Sequence, residues 1–355
     1  MPDPALARLA RRSVELIRAH QASSGAYPAC PTFPPYRFCW LRDGSFIADA
    51  MSRVGQVVSA EAFFRWCAGV LEARAQTVER LVEARERGEP VDPAEHLRTR
   101  YALDGGEPDL DWANYQLDGW GAWIWALAGH VERHGRDADP FARAAGLSAR
   151  YVAAFWEEPC YDWWEEREGI HTVTLAAVAA GLRGAEILGV GAGEPRIEEA
   201  VRAHSTGRLR SSWDEDRVDA SLVAVATPFR LLPPDDPVVA GTVAAVESEL
   251  VDERGVQRYL DDEYYGGGKW LLLAALLGLQ YFETGREDEA YAQLEWVAAQ
   301  AAPDGALPEQ VPGHLLRPDR YEDWVARWGP PASPLLWSHA FLLDLALALG
   351  EVAPR

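Results

Sequence analysis

Two tryptophans and two glutamates stand side by side in the stretch YDWWEEREG, residues 161–169. Adjacent carboxylates repel each other and adjacent indoles are bulky, so folding alone gives little reason for this arrangement. A carboxyl group against an apolar indole holds its proton to higher pH, because burial disfavours the anion. Glu165, next to Trp164, is therefore a candidate proton donor, and an ionised Glu166 would raise its pKa further. The alternative is an ordinary solvated helix start.

A proton donor of this kind needs a second carboxyl group if it is to hydrolyse a glycosidic bond. One carboxyl protonates the leaving oxygen, and the other stays ionised and activates water. Glu309, in the stretch LPEQ, is the most promising second group. Asp43, Asp118 and Asp262 compete with it on chemistry alone.

Tryptophans are frequent in the same acidic segments, and the chain has 15 of them. Core filling is the default role of each indole. An indole face can also stack on the C–H face of a sugar, while carboxylates and guanidinium groups bond the sugar hydroxyls. The segments contain Trp40, Trp112, Trp120, Trp163, Trp164, Trp213, Trp270 and Trp337. This clustering favours a pocket for a small sugar.

The net charge of the chain indicates which kinds of partner it can bind. The 355 residues include 34 Lys and Arg against 55 Asp and Glu, a formal charge of −21. This charge repels nucleic acids and anionic membranes, so we expect neither as a partner and a neutral oligosaccharide as substrate. The glycine clusters at 181–195 and 266–268 lack the context of a nucleotide-binding loop, and no GxSxG occurs. We expect no cofactor and no metal site.

The cysteines and the hydropathy suggest a cytoplasmic protein. Cys30, Cys39, Cys67 and Cys160 lack metal-ligand spacing, and we expect reduced, buried thiols. A disulfide between Cys30 and Cys39 stays open at this stage. The amino-terminal segment has no apolar signal region, and no stretch is long and apolar enough to span a membrane.

The elements that must position these residues are helices. Periodicity predicts them near 4–21, 43–55, 59–89, 110–134, 138–157, 171–188, 193–206, 217–227, 237–250, 267–284, 286–302 and 335–349. A segment rich in Trp, Tyr, Gly and acidic residues precedes or begins every second helix. If consecutive helices pair antiparallel and the even-numbered ones form an inner ring, all these segments emerge at one end. We therefore predict an all-α fold, an (α/α)6 barrel, as a single domain over residues 1–355.

These segments, in their order, resemble motifs of glycoside hydrolase family 15, the glucoamylase-like enzymes, from Tyr36 to Ala340. The matching stretches are YRFCWLRD, QLDG, YDWWEE, RYLDDEYYGGGKW, LPEQ and PLLWSHA. The resemblance implies an (α/α)6 barrel and an inverting mechanism, with Glu165 as general acid and Glu309 as general base, roughly 6.5–9.5 Å apart. It also implies substrate contacts for Tyr36, Trp40, Arg42, Asp43, Gln116, Asp118, Trp163, Trp164, Glu166, Arg258, Tyr264, Trp270, Gln310 and Trp337.

We expect neither the amino-terminal β-sandwich nor the starch-binding domain that members of this family can carry. We therefore expect an exo-acting hydrolase of short α-glucosides, with α-1,6-linked isomaltose preferred. An α-1,4-glucosidase and a trehalase of the same family are the alternatives. Sugar isomerases and epimerases also use α/α toroids, but they typically rely on catalytic histidines, of which this site is short. A sugar-binding protein without catalysis would lack the acid or the base.

The subsite for the leaving sugar is hardest to read. We expect it on the segments 91–111 and 311–333. The insertion HLLRPDRYEDWVARW, which follows Glu309, either folds over the pocket or is a solvated loop.

Overall fold

The computed structural model describes residues 3–108, 112, 115–193 and 195–353. Helices dominate these residues. They are α1 Pro4–His20, α2 Leu41–Arg53, α3 Val57–Glu72, α4 Ala75–Glu86, α5 Asp118–His134, α6 Ala142–Phe155, α7 Thr172–Ile187, α8 Ile197–Ala203, α9 Pro237–Glu249, α10 Leu271–Glu283, α11 Glu287–Ala299, α12 Pro318–Trp328 and α13 Leu336–Ala348.

The inner helices form a closed ring. α2 contacts α5, α5 contacts α7, and α7 contacts a 3₁₀ stretch at Ala220–Val225. This stretch contacts α10, which contacts α13, and α13 returns to α2. The remaining helices, apart from α12, pack around the outside, with α1 on α13, α3 on α2, α6 on α7, α9 on the 3₁₀ stretch and α11 on α10. The predicted (α/α)6 barrel is confirmed.

Glycines allow the closest crossing in this ring, that of α5 and α7. A Cβ atom on Gly121 would lie 2.4 Å from the carbonyl oxygen of Ala177. A Cβ atom on Gly181 would lie 2.5 Å from the carbonyl oxygen of Gly121. Because neither backbone can retreat without opening the ring, an alanine at either position would destabilise the barrel.

Several predicted helices differ from the observed ones. The predicted helix 59–89 is two helices, α3 and α4, and the backbone of Arg74 between them is not helical, with φ of −112°. The Arg74 side chain bonds the carbonyl oxygens of Val70 and Gly105, at 2.9 and 3.1 Å. The predicted helix 217–227 is the 3₁₀ stretch, which begins at the capping carboxylate of Asp219. Pro228 follows it, and a proline cannot continue the hydrogen-bond pattern of a helix.

Other boundaries moved because polar segments stay outside the helices. α5 begins at Asp118 and not at 110, although part of that segment lies outside the described residues. α10 begins at Leu271 after the glycine cluster, and α8 is shorter than predicted. α12 was not predicted as a helix. It occupies the insertion for which a cover and a solvated loop were both left open.

Short antiparallel strands tie the loops together at one end of the barrel. β1 Cys39–Trp40 pairs with β2 Arg100–Tyr101, and β3 Cys160–Tyr161 pairs with β4 Glu168–Gly169. β5 Val251–Asp252, β6 Gly255–Val256, β7 Lys269–Trp270 and β8 Gln310–Val311 form one sheet in that order. The register sets Trp40 opposite Arg100 and Trp270 opposite Gln310. Residues far apart in sequence thereby reach the same end.

The four cysteines are buried free thiols, Cys30 and Cys39 included. Among the helices of the described residues, none combines the length and apolar character that a membrane crossing needs.

Candidate active site

A cavity of about 290 Å³ opens at the end where the inner helices α2 and α13 begin. Most of the predicted site residues line it: Tyr36, Trp40, Arg42, Asp43, Trp163, Trp164, Glu165, Glu166, Arg258, Tyr264, Trp270, Glu309 and Trp337. Gln116, Asp118 and Gln310 do not line it. The cavity volume is near the lower end of the range for ligand pockets, about 300–1,000 Å³.

Aromatic rings fill the barrel below the cavity. The ring of Phe46 lies 5.5 Å from Trp337, 5.9 Å from Trp163, 5.6 Å from Phe229 and 5.1 Å from Phe341, measured between centroids. Phe46 is 1% exposed. A polymer chain therefore cannot thread through the barrel, and the cavity has one closed end.

Glu165 lies in the turn between β3 and β4, in a strained backbone conformation with φ of 61°. Left-handed backbone is uncommon for residues other than glycine, so neighbouring bonds must hold it. The amide of Glu165 donates to the carbonyl oxygen of Asp162 at 3.0 Å, and the amide of Glu166 donates to the Asp162 carboxylate at 2.9 Å. Asp162, the second residue of YDWWEE, thus fixes the turn that presents Glu165.

The Glu165 carboxyl group is held by two indoles from elsewhere in the chain. The Nε1–H groups of Trp40 and Trp112 donate to its two oxygens, and Arg42 Nη2 lies 3.8 Å from Oε1. Burial raises the pKa of Glu165, while Arg42, Arg100 and the two indole donors act in the opposite direction. The side chain is 10% exposed. Burial therefore favours the protonated form of Glu165, and donors are in place to stabilise its anion.

Glu166 turns away from Glu165. Its oxygens accept hydrogen bonds from Arg258, at 2.9 Å, and from the hydroxyl of Tyr259. The Arg258 cation offsets the charge of Glu166, and burial is the main cause of the raised pKa of Glu165. Trp164, predicted as the apolar wall of the pocket, lines the cavity, and its indole N–H donates to Asp219, at 3.0 and 3.2 Å.

Glu309 immediately precedes β8 and is 2% exposed. Burial raises its pKa to about 7, although Arg258 and the hydroxyls of Tyr36 and Tyr264 lower it in part. These two hydroxyls lie 2.8 Å apart. Among the described residues, Glu309 Oε2 has no hydrogen-bond partner. It can therefore accept a proton from a water molecule.

The three aspartates considered as alternatives to Glu309 each have an arginine nearby. Arg42 donates to Asp118 at 3.0 Å, and Arg258 donates to Asp262 at 2.7 and 2.5 Å. Asp43 is 6% exposed, and burial raises its pKa to about 7, with Arg42 opposing and Glu165 adding to the rise. Asp118 and Asp262 therefore serve as counter-ions for the arginines of the site.

The three predicted residues outside the cavity support those that line it. Gln116 accepts from Arg42 at 3.0 Å and, with Asp118, orients its guanidinium group. The side-chain oxygen of Gln310 accepts from the amide of Gly268 at 3.0 Å. A Cβ atom on Gly268 would lie 2.5 Å from this oxygen, so the loop before α10 requires glycine there. Direct contacts with substrate were predicted for Gln116, Asp118 and Gln310, and the structure places them behind the wall.

Two residues next to Glu165 were missed as site residues. Arg100 is fully buried, and its guanidinium carbon lies 4.8 Å from the ring centre of Trp40 and 4.2 Å from that of Trp112. The position of Trp112 in an acidic, tryptophan-rich segment was a usable signal. Arg100 had none, because only the pairing of β1 with β2 brings it beside Trp40.

Three residues of helix α12 that line the cavity were also missed as site residues: Trp324, Arg327 and Trp328.

Away from the cavity, Asp252, Glu253 and His314 place possible metal-ligand atoms within 4.8 Å of one another. The Lys269 ammonium lies 2.8 Å from Asp252 and already supplies a cation there.

A helical barrel around a cavity with one closed end, in which Glu165 and Glu309 lie among tryptophans, defines a helical-barrel glycosidase. The chain belongs to the glycosyl hydrolases of family 15, whose family model matches residues 4–288. It is 44% identical to the isomaltose glucohydrolase of Kribbella flavida (strain DSM 17836), over 98% of this chain and 94% of that protein.

Solved structures agree with this assignment. A glycosidase variant in complex with glucose is 43% identical, with a TM-score of 0.93 and coverage of 98% of both chains. A bacterial glucoamylase complexed with acarbose is 17% identical, with a TM-score of 0.71, covering 97% of this chain and 55% of that one. The second likeness concerns the fold alone.

Proposed function

We propose that this glycosidase is an inverting, exo-acting α-glucoside hydrolase that releases β-glucose from the non-reducing end of short α-1,6-linked glucosides such as isomaltose. The observation that carries the proposal is the pair of carboxyl groups, Glu165 and Glu309, which reach one tryptophan-lined cavity from different loops. Glu165 has donors for its anion, and Glu309 has a free oxygen among the described residues.

In the proposed reaction, protonated Glu165 gives its proton to the glycosidic oxygen as the bond to the anomeric carbon breaks. The indole N–H groups of Trp40 and Trp112 stabilise the carboxylate that forms. Glu309, as an anion, takes a proton from the water that attacks the anomeric carbon on the opposite face. Inversion with an intervening water requires the two carboxyl groups to be roughly 6.5–9.5 Å apart.

The glucosyl unit would occupy the closed end of the cavity. Arg42 there is oriented by Gln116 and Asp118, and Arg258 by Asp262 and Glu166. Such fixed guanidinium groups suit sugar hydroxyls, and the ring of Trp337 or Trp163 supplies an apolar face. Because the barrel is filled below this point, only a chain end can enter, which supports exo action.

The preference for α-1,6 links is supported by the 44% identity to an isomaltose glucohydrolase. Hydrolysis of maltose-type α-1,4 links or of trehalose remains the alternative within the family. We further propose that residues 1–355 form one catalytic domain, because the ring that starts with α2 is closed by α13.

An assay of glucose release tests the proposal. The protein is incubated with isomaltose, maltose, trehalose and panose, and the anomer of the released glucose is followed by proton NMR. We expect isomaltose to give the highest kcat/KM and β-glucose to appear first. Initial α-glucose would contradict the inverting mechanism, and preference for maltose or trehalose would contradict the linkage.

A further inference from the structure

Helix α12 presents one side to the cavity and yet buries none of its residues. Arg327 and Trp328 lie three and four residues after Trp324, so the three side chains share a face of the helix. Trp328 is 41% exposed. An indole left partly in water on the wall of a cavity is the kind of surface that a ligand covers.

The position of α12 relative to the site is set by several contacts. The ring of Trp324 lies 4.9 Å from that of Tyr264, edge to face at 73°. The hydroxyl of Tyr265 donates to the carbonyl oxygen of Gly329 at 2.9 Å, and the amide of Arg317 donates to Gly266 at the same distance. α12 is therefore fixed to the turn that carries Tyr264, next to Glu309.

Arg327 has hydrogen-bonding capacity that the described residues leave unused. Within the described part of the chain, its guanidinium group has no hydrogen bond or ion pair, and it lies 5.2 Å from the ring of Trp328. In contrast, Arg320 of the same helix lies 3.5 Å from Glu263. A planar donor beside an indole matches the hydroxyls and the apolar face of a sugar.

The depth of these residues indicates which sugar they meet. At the closed end, Arg42 and Trp337 are each 4% exposed. At the mouth, Trp328 is 41% exposed and Trp112, which also bonds Glu165, is 36% exposed. The unit beyond the scissile bond must therefore lie at the level of Trp112 and α12.

We infer that the face of α12 formed by Trp324, Arg327 and Trp328 binds the leaving sugar, with Trp328 stacking on its ring and Arg327 bonding its hydroxyls. This inference rests on the proposed function, since it requires a glycoside whose aglycone is a sugar. The same face limits the length of substrate, because α12 stands over the outer part of the cavity.

A substrate without a leaving sugar separates this role from a structural one. Kinetics are measured for Trp328→Ala and Arg327→Ala with isomaltose and with α-D-glucopyranosyl fluoride, whose leaving group is one atom. For isomaltose we expect kcat/KM to fall by about ten- to a hundredfold. For the fluoride we expect a change of less than about threefold, because no contact with it is lost. Arg320→Ala is the matched control and should leave both values near those of wild type.

Equal losses on both substrates would overturn the inference, since α12 would then act on the glucosyl pocket or on folding. Unchanged isomaltose kinetics would overturn it as well. If wild type prefers maltose or trehalose, that disaccharide replaces isomaltose, and the linkage proposal alone has failed. If wild type cleaves the fluoride but none of these disaccharides, both proposals fail.

Discussion

Two aspartates of α2 show how differently the two ends of the barrel use a buried carboxyl group. Asp43 lies at the cavity and is 6% exposed, and Asp49 lies towards the other end and is 2% exposed. The pKa of Asp43 is raised to about 7, and the pKa of Asp49 is lowered. Burial is similar at both positions, so burial alone cannot explain the difference.

The difference lies in the partners. Asp49 accepts hydrogen bonds from Arg53 at 2.7 Å and from Arg133 at 3.0 Å, which stabilise its anion. Asp43 has Arg42 nearby, but that guanidinium group donates to Asp118, and the charge of Glu165 adds repulsion. Asp49 is satisfied by partners within the protein, whereas Asp43 at the cavity is a carboxyl group that a substrate can use.

The largest effect we expect is on catalysis. Glu165→Gln and Glu309→Gln should each lower kcat on isomaltose by about 10³–10⁴-fold, because each removes a proton-transfer group. Their melting temperatures should equal or exceed that of wild type, because a neutral amide is easier to bury than a carboxylate. Calorimetry checks this, with the exposed Glu168→Gln as control. Near-normal turnover by either variant would refute the assignment of roles.

The next effect is on stability and compares the two aspartates directly. Asp49→Asn should lower the free energy of unfolding by about 2–4 kcal/mol, because two arginines lose the carboxylate that they both bond. The loss could fall at the low end of this range because Arg53 and Arg133 are 38% and 28% exposed, so that water partly solvates their charges. Asp43→Asn should not lower it at pH 8, because the amide replaces a buried carboxylate whose pKa is raised. Urea unfolding of both variants measures this. Equal losses would remove the contrast between the two ends.

Asp49 and Asp43 should make the stability of the fold depend on pH in opposite directions. The folded pKa of Asp49 is depressed, so its stabilisation is present above the unfolded pKa, about 3.9, and is lost as the pH falls. The folded pKa of Asp43 is raised, so its contribution is present at low pH and is lost as the pH rises through about 7. Asp49→Asn should therefore flatten the acid side of the stability curve, and Asp43→Asn the neutral side.

A smaller effect concerns the acid limb of the pH profile of kcat/KM. Because Glu309 must be ionised, kcat/KM should rise as the pH increases through its pKa of about 7. Tyr264→Phe removes a hydroxyl that lowers this pKa, so the limb should move upward by about half a unit. In the control Tyr265→Phe, the lost hydroxyl bonded Gly329, and the limb should stay in place. A downward shift for Tyr264→Phe would contradict the proposed base.

The smallest effect tests the indole donors of Glu165. Trp112→Phe should lower kcat on isomaltose by about three- to tenfold, because one donor to the developing carboxylate is lost. Trp66→Phe is a matched control, since its indole donates to the carbonyl oxygen of Leu103 at 3.0 Å. Comparable losses of activity in the two variants would indicate a packing effect.

Local features of the chain predicted much of the fold and both proposed catalytic residues. Helical periodicity and the recurrence of acidic, tryptophan-rich segments before alternate helices sufficed for the barrel, because both depend on neighbours in sequence. α12 was missed as a helix, although Pro318 at its start and Gly329 at its end were usable boundary signals.

The sequence by itself determined that Glu165 and Glu166 stand in one turn, that Glu309 reaches the same end of the barrel, and that tryptophans accompany them. Only the tertiary structure decided which groups each carboxyl meets. The indoles of Trp40 and Trp112 donate to Glu165, while the indole of the adjacent Trp164 donates to Asp219. Asp118 and Asp262 accept hydrogen bonds from arginines and are therefore poor candidates for the base. The physical reason is that the pKa of a buried carboxyl group depends on charges and donors within a few ångströms. The pairing of distant strands and helices sets those neighbours.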